Sequence, residues 1–249
     1  MKGSESSTPC TLDECKGDAA RSGAVGNSLS EQPSHSWREE RVTFRNARGQ
    51  QLVGALVDTG SQDAAILCHG MYDNKTAHFH PEMAQTLAAR GLSSLRFDFS
   101  GNGESEGEFK YGNTKAEAED MRAAVLFLKS RNKQTIVLTG HSKSGSGVIC
   151  YAAKYGDVPK IASISGRFDN QAGIKERFGD DIFERLERQG AVEAEGQIPF
   201  TLTREDMQDR LALDMQAEAK AIPSQGGDHC YRGPEHRKEL IEKIMDFIF

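Results

Sequence analysis

A serine near the middle of the chain has the flanking residues of a nucleophile. Ser142 lies in residues 140–144 (Gly-His-Ser-Lys-Ser), which follow the apolar run 135–138 and precede a helical pattern. A serine on a sharp strand-to-helix turn presents its hydroxyl outside the fold, as in the G-x-S-x-G nucleophile elbow. Ser144 replaces the last glycine of that motif and adds only a hydroxymethyl group, so we interpret it as a tolerated change. The pattern indicates acyl transfer to a serine.

His229 is the residue that could act as the base for this serine. It lies in the stretch Gly227-Asp228-His229, just before an apolar pattern typical of a C-terminal helix. A serine hydroxyl needs a group that takes its proton, and the unperturbed pKa of histidine is the one closest to neutrality. We therefore expect His229 to take the proton of Ser142 and later return it.

The strand-like run of residues 64–68 ends in His69 and Gly70, well upstream of the serine. In acyl-transfer enzymes, a backbone N–H just after such a strand binds the developing oxyanion, together with the N–H of the residue that follows the nucleophile. This arrangement nominates the backbone amides of Met71 and Lys143. An ordinary tight turn at His69 and Gly70 is the alternative.

Residues 95–105 combine a β-type run with a Gly-x-Gly loop, which raises the question of phosphate binding. Such a loop holds phosphate when a helix opens directly after it. Gly107, Gly112 and Asn113 prolong the loop instead, and the sequence around Lys143 does not follow the G-x-x-x-x-G-K-[ST] order. We expect no nucleotide and no other cofactor.

Taken in order, these motifs resemble the α/β-hydrolase superfamily, specifically its serine aminopeptidase-like and cinnamoyl esterase-like branch. The likeness covers about residues 37–249 and rests on His69-Gly70, residues 96–103 (Arg-Phe-Asp-Phe-Ser-Gly-Asn-Gly), residues 140–143 and Asp228-His229. It implies an α/β-hydrolase fold, in which a mostly parallel sheet is flanked by helices and covered by a helical lid. It also implies hydrolysis of a small-molecule carboxylic ester, or amide, through an acyl-enzyme intermediate.

The chain departs from this family between the lid-like segment and His229. Family members carry a strand ending in an acidic residue, a helix and another strand there, and such elements need roughly 30–40 residues. Here Gln225 is followed directly by Gly226. We therefore expect incomplete C-terminal strands and reduced activity; a non-catalytic binding or regulatory protein and a truncated isoform are the alternatives.

Asp169 is the candidate for the missing triad acid. It follows the next strand after the one that precedes Ser142. From the end of that neighbouring strand, its carboxylate could orient His229. Capping of the next helix is the alternative, a role that aspartate generally favours. The strand itself, residues 160–164, would lie at an edge of the shortened sheet, and an unpaired apolar edge is a template for self-association.

The flanking sequence predicts the elements that hold these residues. Residues 41–44 and 52–57 indicate an antiparallel hairpin, and apolar residues at helical spacing over 79–87 indicate a helix. Thr114 and Glu117 predict a capping box at the start of a second helix. Strands that alternate with helices imply a mostly parallel sheet covered on both sides.

Residues 170–220 are charge-rich and helical in pattern. Apolar residues recur at i, i+4 spacing, first Ile182 and Leu186, then Met207, Leu211 and Met215. By the resemblance this segment is a lid over the serine. A solvated pair of surface helices is the alternative, and the two interpretations are compatible.

Composition limits the partners and the location. The chain has 249 residues and a net charge of −6, with 37 acidic against 31 basic residues, so no general basic field attracts nucleic acid or anionic lipid. No run approaches the roughly 18 apolar residues of a membrane span, and nothing after Lys2 resembles a signal peptide; we expect a cytoplasmic protein.

The chain divides into a tail and one domain. Residues 1–36, rich in serine and glycine, predict a disordered tail. Residues 37–249 form the predicted hydrolase domain.

The cysteines and histidines indicate neither a disulfide scaffold nor a metal site. Five cysteines form no even, closely spaced framework, and Cys68 and Cys150 lie in apolar runs typical of a core. The pairs His78-x-His80 and His229-Cys230 lack further ligands at finger-like spacing. We expect reduced thiols and no metal.

Overall fold

The structure, a computed structural model, describes residues 37–195, 199–222, 241–242 and 244–249. All of them belong to the unit Ser34–Phe249. The predicted tail, residues 1–36, lies outside the described residues, as do Asp228 and His229.

Six strands form the main sheet of the described residues. They are β1 (Arg38–Arg45), β2 (Gln51–Asp58), β3 (Asp63–Cys68), β4 (Ser93–Phe97), β5 (Gln134–His141) and β6 (Lys160–Ile164), in the spatial order β1-β2-β4-β3-β5-β6. Strands β1 and β2 form the predicted antiparallel hairpin, and β2 is antiparallel to β4. Strands β3 to β6 run parallel, so the mostly parallel sheet is confirmed. Within the described residues, β6 pairs with β5 alone and forms one edge.

Strand β3 is buried on both faces, because successive side chains of a strand point to opposite sides of the sheet. Ala64, Ile66 and Cys68 pack on the side of two helices, α2 (Thr114–Ser130) and α3 (Lys143–Tyr155). Ala65 and Leu67 pack on the opposite side with α1 (His80–Ala89). The helical residues 241–242 and 244–248 join this second cluster through side chains that form an apolar stripe: Ile241, Ile244, Met245 and Ile248. The helix predicted at this end therefore packs on the sheet.

The capping box predicted at Thr114 is wrong. Asn113 is the N-cap of α2 and Thr114 is the first helical residue, without a side-chain cap hydrogen bond. The Glu117 carboxylate, which the capping box would have used, is buried and pairs with Lys143 at 2.8 Å. Pairing a buried lysine outweighs a local cap, since a buried unpaired charge is far more costly than a lost capping bond.

The lid-like segment is less helical than its pattern predicts. Its elements are α4 (Ile174–Phe178), α5 (Ile182–Gln189), β7 (Ala191–Ala194), β8 (Phe200–Thr203), α6 (Arg204–Leu211) and α7 (Met215–Ala221). Strands β7 and β8 pair antiparallel, an element that the sequence interpretation missed. The spacing of Met207, Leu211 and Met215 suggested one helix, but the chain breaks after α6, and the Asp214 side chain caps α7.

This segment has an apolar core of its own. The buried members come from the segment itself, apart from one tyrosine that precedes α2: Ile174, Ile182, Leu186, Ala194, Phe200, Leu202, Met207 and Tyr111. Met71, Tyr72 and Phe109 pack against it from the loops that follow β3 and β4. The segment is therefore anchored to the loops around the serine.

Two smaller findings concern the cysteines and membranes. Cys68 and Cys150 are buried free thiols, as their apolar surroundings predicted. Among the described residues, no helix has both the length and the apolar character that crossing a membrane requires.

Candidate active site

Ser142 lies on a strained turn between β5 and α3. Its backbone has φ 56° and ψ −116°, a region that residues with a side chain rarely adopt and that costs of order 1–3 kcal/mol. The turn is held because the Ser142 N–H donates to the Ile164 carbonyl at 2.8 Å and the Gly145 N–H donates to the Ser142 carbonyl at 2.9 Å. The predicted elbow is therefore present, and such strain is typical of functional sites.

The close approach of strand and helix explains the small residues of the elbow. A Cβ atom at Gly140 would lie 2.2 Å from the Ser144 carbonyl oxygen, so this position requires glycine. The Ser144 hydroxyl donates to the Cys68 carbonyl at 2.9 Å. The residue that departs from the motif thus ties the elbow to the end of β3.

The His-Gly loop after β3 lies against the elbow. A Cβ atom at Gly70 would lie 3.3 Å from the Ser142 Cβ. The His69 Nε2 atom accepts from the Phe99 N–H at 3.1 Å, so the proton is on Nδ1, which donates to the Gly70 carbonyl at 2.8 Å. Burial lowers the pKa of His69 to about 4. A neutral imidazole therefore fixes the loop whose next residue is Met71.

Asp98 links this loop to the glycine-rich loop after β4. Its buried carboxylate accepts from the Lys75 N–H and from the Lys75 Nζ, each at 2.7 Å. It also accepts from the Glu104 N–H at 2.9 Å. The glycine-rich loop thus has a structural role here, because it holds the segment that carries Gly70 and Met71.

The Lys143 side chain is buried away from solvent. Its Nζ lies 2.8 Å from the Glu117 carboxylate, and the two side chains are 6% and 5% exposed. The same Nζ donates to the Lys110 carbonyl at 2.9 Å and to the Asn113 side-chain oxygen. Burial raises the pKa of Glu117, and the Lys143 charge opposes this. The pair anchors the elbow to the first turn of α2.

A cavity of about 340 Å³ opens over Ser142. Its described lining contains the serine, both residues nominated for the oxyanion, and further cationic, aromatic and neutral polar side chains. These residues are Met71, Tyr72, Tyr111, Thr114, Ser142, Lys143, Ser146, Ser165, Arg167, Asn170, Arg177 and Arg210. We call residues 69–75, 98–117 and 140–146 the elbow side of this cavity, and residues 165–195 and 199–213 the lid side. The volume is within the range of small-molecule sites.

The structure brings together three of the residues singled out in the sequence. Ser142, Met71 and Lys143 share the cavity wall. The exposed Asp169 accepts hydrogen bonds from the Gln171 N–H at 2.9 Å and the Ala172 N–H at 3.3 Å. His229, the proposed base, lies outside the described residues.

Three arginines of the lining were missed by the sequence interpretation. Arg167, Arg177 and Arg210 come from separate parts of the lid side and meet only in the folded chain. No spacing signal connects them along the sequence. Their convergence depends on the tertiary packing of α4 and α6 over the end of the sheet.

Similarity to known proteins agrees with this geometry. The family described as serine aminopeptidase, S33, matches residues 60–233. The uncharacterised protein YfhR of Salmonella typhimurium is 29% identical over 153 residues, which are 58% of this chain and 49% of that protein. The chain therefore spans about half the length of the curated relatives it matches.

Two solved structures share the fold at low identity. Est1E of Butyrivibrio proteoclasticus, solved with ferulic acid bound, has a TM-score of 0.62 and 18% identity over 83% of this chain and 97% of that chain. The α/β-hydrolase GrgF of a Penicillium species has a TM-score of 0.62 and 17% identity over 75% of this chain and 77% of that chain. The chain has the α/β-hydrolase fold.

Proposed function

Because the chain belongs to the serine aminopeptidase S33 family of hydrolases, we propose that it is a serine hydrolase acting on a small-molecule carboxylic ester. The observation that carries this proposal is the strained turn of Ser142 beneath a cavity. Strain at such a turn is retained where the surrounding contacts enforce it, and it exposes the hydroxyl for attack.

The proposed reaction passes through an acyl-enzyme. The Ser142 oxygen bonds to the ester carbonyl carbon while its proton passes to His229. The carbonyl electron pair moves to oxygen, where the N–H groups of Met71 and Lys143 stabilise it. Breakage of the ester bond releases the alcohol with the proton from His229. Water then attacks the acyl group by the same route, which frees the carboxylic acid and restores the hydroxyl of Ser142.

The network on the elbow side supports the proposed oxyanion site. Neutral His69 holds the Gly70 carbonyl and the Phe99 N–H, which restricts the backbone just before Met71. The buried Lys143–Glu117 pair restricts the start of α3. Preorganised donors of this kind cost little reorganisation during the reaction, which is why they contribute strongly to catalysis.

Two observations favour esters over amides, one from a structural neighbour and one from the cavity lining. The solved structure of Est1E contains ferulic acid, a carboxylic acid of the kind that ester hydrolysis releases. The described lining contains no carboxylate, the group that would bind the free amino group of an aminopeptidase substrate.

We propose Asp169 as the acid that orients His229, and its contacts also support a second candidate function. The Asp169 carboxylate holds two backbone N–H groups of its own loop, and no carboxylate is among the described residues that line the cavity. A triad acid must instead hold the histidine. If Asp169 serves only its loop, the chain is a hydrolase-like binding or regulatory protein with little turnover.

Labelling with a neutral fluorophosphonate probe separates the two functions. We expect the purified chain to be labelled at Ser142, because the probe reacts with activated serines. Ser142→Ala should lose the label and about 10⁶-fold of any turnover of a short nitrophenyl ester. The matched control is Ser130→Ala, which removes an exposed hydroxyl at the end of α2 and should keep both. An unlabelled wild-type chain would favour the regulatory function.

A further inference from the structure

Three guanidinium groups on the lid side share the cavity with Ser142. Arg167, Arg177 and Arg210 all line it. None of the three forms an ion pair with a carboxylate within the described part of the chain, whereas the fourth cation of the lining, Lys143, is paired with Glu117. Positive charge therefore accumulates on one wall of a site that has no described acidic residue in its lining.

Neutral groups hold these arginines in place. The Arg210 Nε donates to the Asn170 carbonyl at 2.8 Å, and the Arg167 Nη1 donates to the Ala172 carbonyl at 2.8 Å. The Arg177 Nη2 donates to the Tyr72 hydroxyl at 2.8 Å. A guanidinium carries five N–H donors, and among the described residues each of the three side chains uses one of them, which leaves the others for a ligand.

Tyr111 orders two of the three groups. The guanidinium carbons of Arg210 and Arg177 lie 4.8 and 5.7 Å from the centre of its ring. Arg177 also lies 5.1 Å from the ring centre of Tyr72. Cation–π contacts at these distances hold a guanidinium without neutralising its charge.

The three charges oppose one another. Arg210 is buried, at 8% exposure. Burial lowers its pKa, and the charges of Arg167 and Arg177 lower it further, while Tyr111 and Asp169 act in the opposite direction. A bound anion would relieve this repulsion and take up the free N–H donors, because planar guanidinium forks match carboxylate and phosphate geometry.

We propose that the substrate is an ester that carries an anionic group, a carboxylate or a phosphate, and that Arg167, Arg177 and Arg210 bind this group while the ester lies at Ser142. The inference rests on the proposed serine hydrolase function. It names the class of substrate, which the family and the fold leave open. The three arginines are then specificity residues, in addition to any part they have in packing the lid side.

Matched substrates test the charge preference directly. One is the mono-nitrophenyl ester of a linear dicarboxylic acid, and the other is the same compound with its free carboxylate capped as a methyl ester. We expect kcat/KM to be about 10- to 100-fold higher for the free carboxylate, the range of a charge-assisted hydrogen bond. A third substrate, ending in a phosphate monoester, shows which anion is preferred.

Arginine variants assign the preference to the lid side. Arg177→Gln should reduce the ratio between the free and capped substrates towards one, because kcat/KM should fall much more for the free carboxylate than for the capped ester. Arg188→Gln removes an equal charge from an exposed position of α5 and should leave the ratio as in the wild type. A ratio near one in the wild-type chain, or equal ratios in both variants, would overturn the proposal.

Binding to the Ser142→Ala chain separates this inference from the proposed function. Calorimetric titration with the dicarboxylate and with its dimethyl ester needs no turnover. Binding of the dicarboxylate that Arg177→Gln weakens about tenfold supports the anion site even if the wild-type chain hydrolyses nothing. Hydrolysis of both esters at equal rates, with no binding of the dicarboxylate, rejects the anion site and leaves the serine hydrolase proposal intact.

Discussion

The two sides of the cavity differ in how their charges are satisfied. On the elbow side, Lys143 pairs with Glu117, and Lys75 pairs with Asp98. On the lid side, Arg167, Arg177 and Arg210 have neutral partners within the described residues. Charge on the elbow side is balanced within the chain, whereas charge on the lid side is left for a ligand.

We interpret the elbow side as the rigid part of the cavity and the lid side as the part that recognises the ligand. A buried, paired and hydrogen-bonded network holds one arrangement, because breaking any member leaves a desolvated charge. Arg167 and Arg177 are exposed, so water solvates their unpaired charges. Arg210 is buried and is held by the Asn170 carbonyl and the Tyr111 ring. All three would gain a partner when an anion binds. We therefore expect changes on the elbow side to reduce stability, and changes on the lid side to alter activity with little loss of stability.

Asp169→Asn is the lid-side change with the largest expected effect. If Asp169 orients His229, turnover of a nitrophenyl ester should fall by about 10⁴-fold, as with loss of a triad acid, while the melting temperature stays nearly constant because asparagine also caps well. The control is Asp214→Asn, since Asp214 is another exposed cap, accepting from the Gln216 and Ala217 N–H groups. A loss below about tenfold, equal to that of the control, would limit Asp169 to its loop.

Lys143→Met tests the elbow side. The change leaves the Glu117 carboxylate buried without its cation, so the free energy of unfolding should fall by about 3–5 kcal/mol in urea titration. Adding Glu117→Met should recover most of this loss, because two apolar residues can replace a buried pair.

A more exposed pair, between Lys115 of α2 and Glu218 of α7, provides the control for Lys143→Met. Lys115 lies 3.4 Å from Glu218, with 70% of its side chain exposed. Lys115→Met should cost less than about 1 kcal/mol, as surface pairs usually do. Equal costs for Lys115→Met and Lys143→Met would contradict the contrast between buried and exposed charge.

His69 makes the stability of the elbow side depend on pH. Its pKa is about 4 in the folded chain against 6.5 when unperturbed. Between these values the unfolded chain binds a proton that the folded chain does not, so stability falls as the pH drops from about 6.5 to 4 and is constant with respect to this group outside that window. The expected loss is about 3 kcal/mol.

Urea titrations at several pH values measure this effect. His69→Gln keeps an acceptor for the Phe99 N–H but cannot titrate, so its stability should be lower at pH 7 and change less between pH 6.5 and 4. A variant with the same slope as the wild type in that window would assign the pH dependence to other groups.

The same contrast explains what the sequence could predict. The turn that carries Ser142 and the hairpin of β1 and β2 depend on local patterns of apolar and small residues, and the structure contains both elements. The catalytic role of Ser142 stays a prediction. The capping box failed because Glu117 has a partner 26 positions away in Lys143. The arginine cluster depends entirely on contacts between distant segments. Local patterns therefore predicted the elbow itself, but not the charge arrangement around it.

The smallest expected effect concerns self-association through the edge of the main sheet at β6. In the described part of the chain, β6 pairs only with β5, and unpaired edges of β-prone residues associate with other chains. We expect self-association that increases with concentration, measured by size-exclusion chromatography with light scattering. Ile161→Lys, which adds a charge to the edge, should shift the apparent mass towards the monomer. Leu126→Lys, a matched change at a residue of α2 that is 47% exposed, should not. A wild-type chain that stays monomeric at high concentration would show that this edge is already protected.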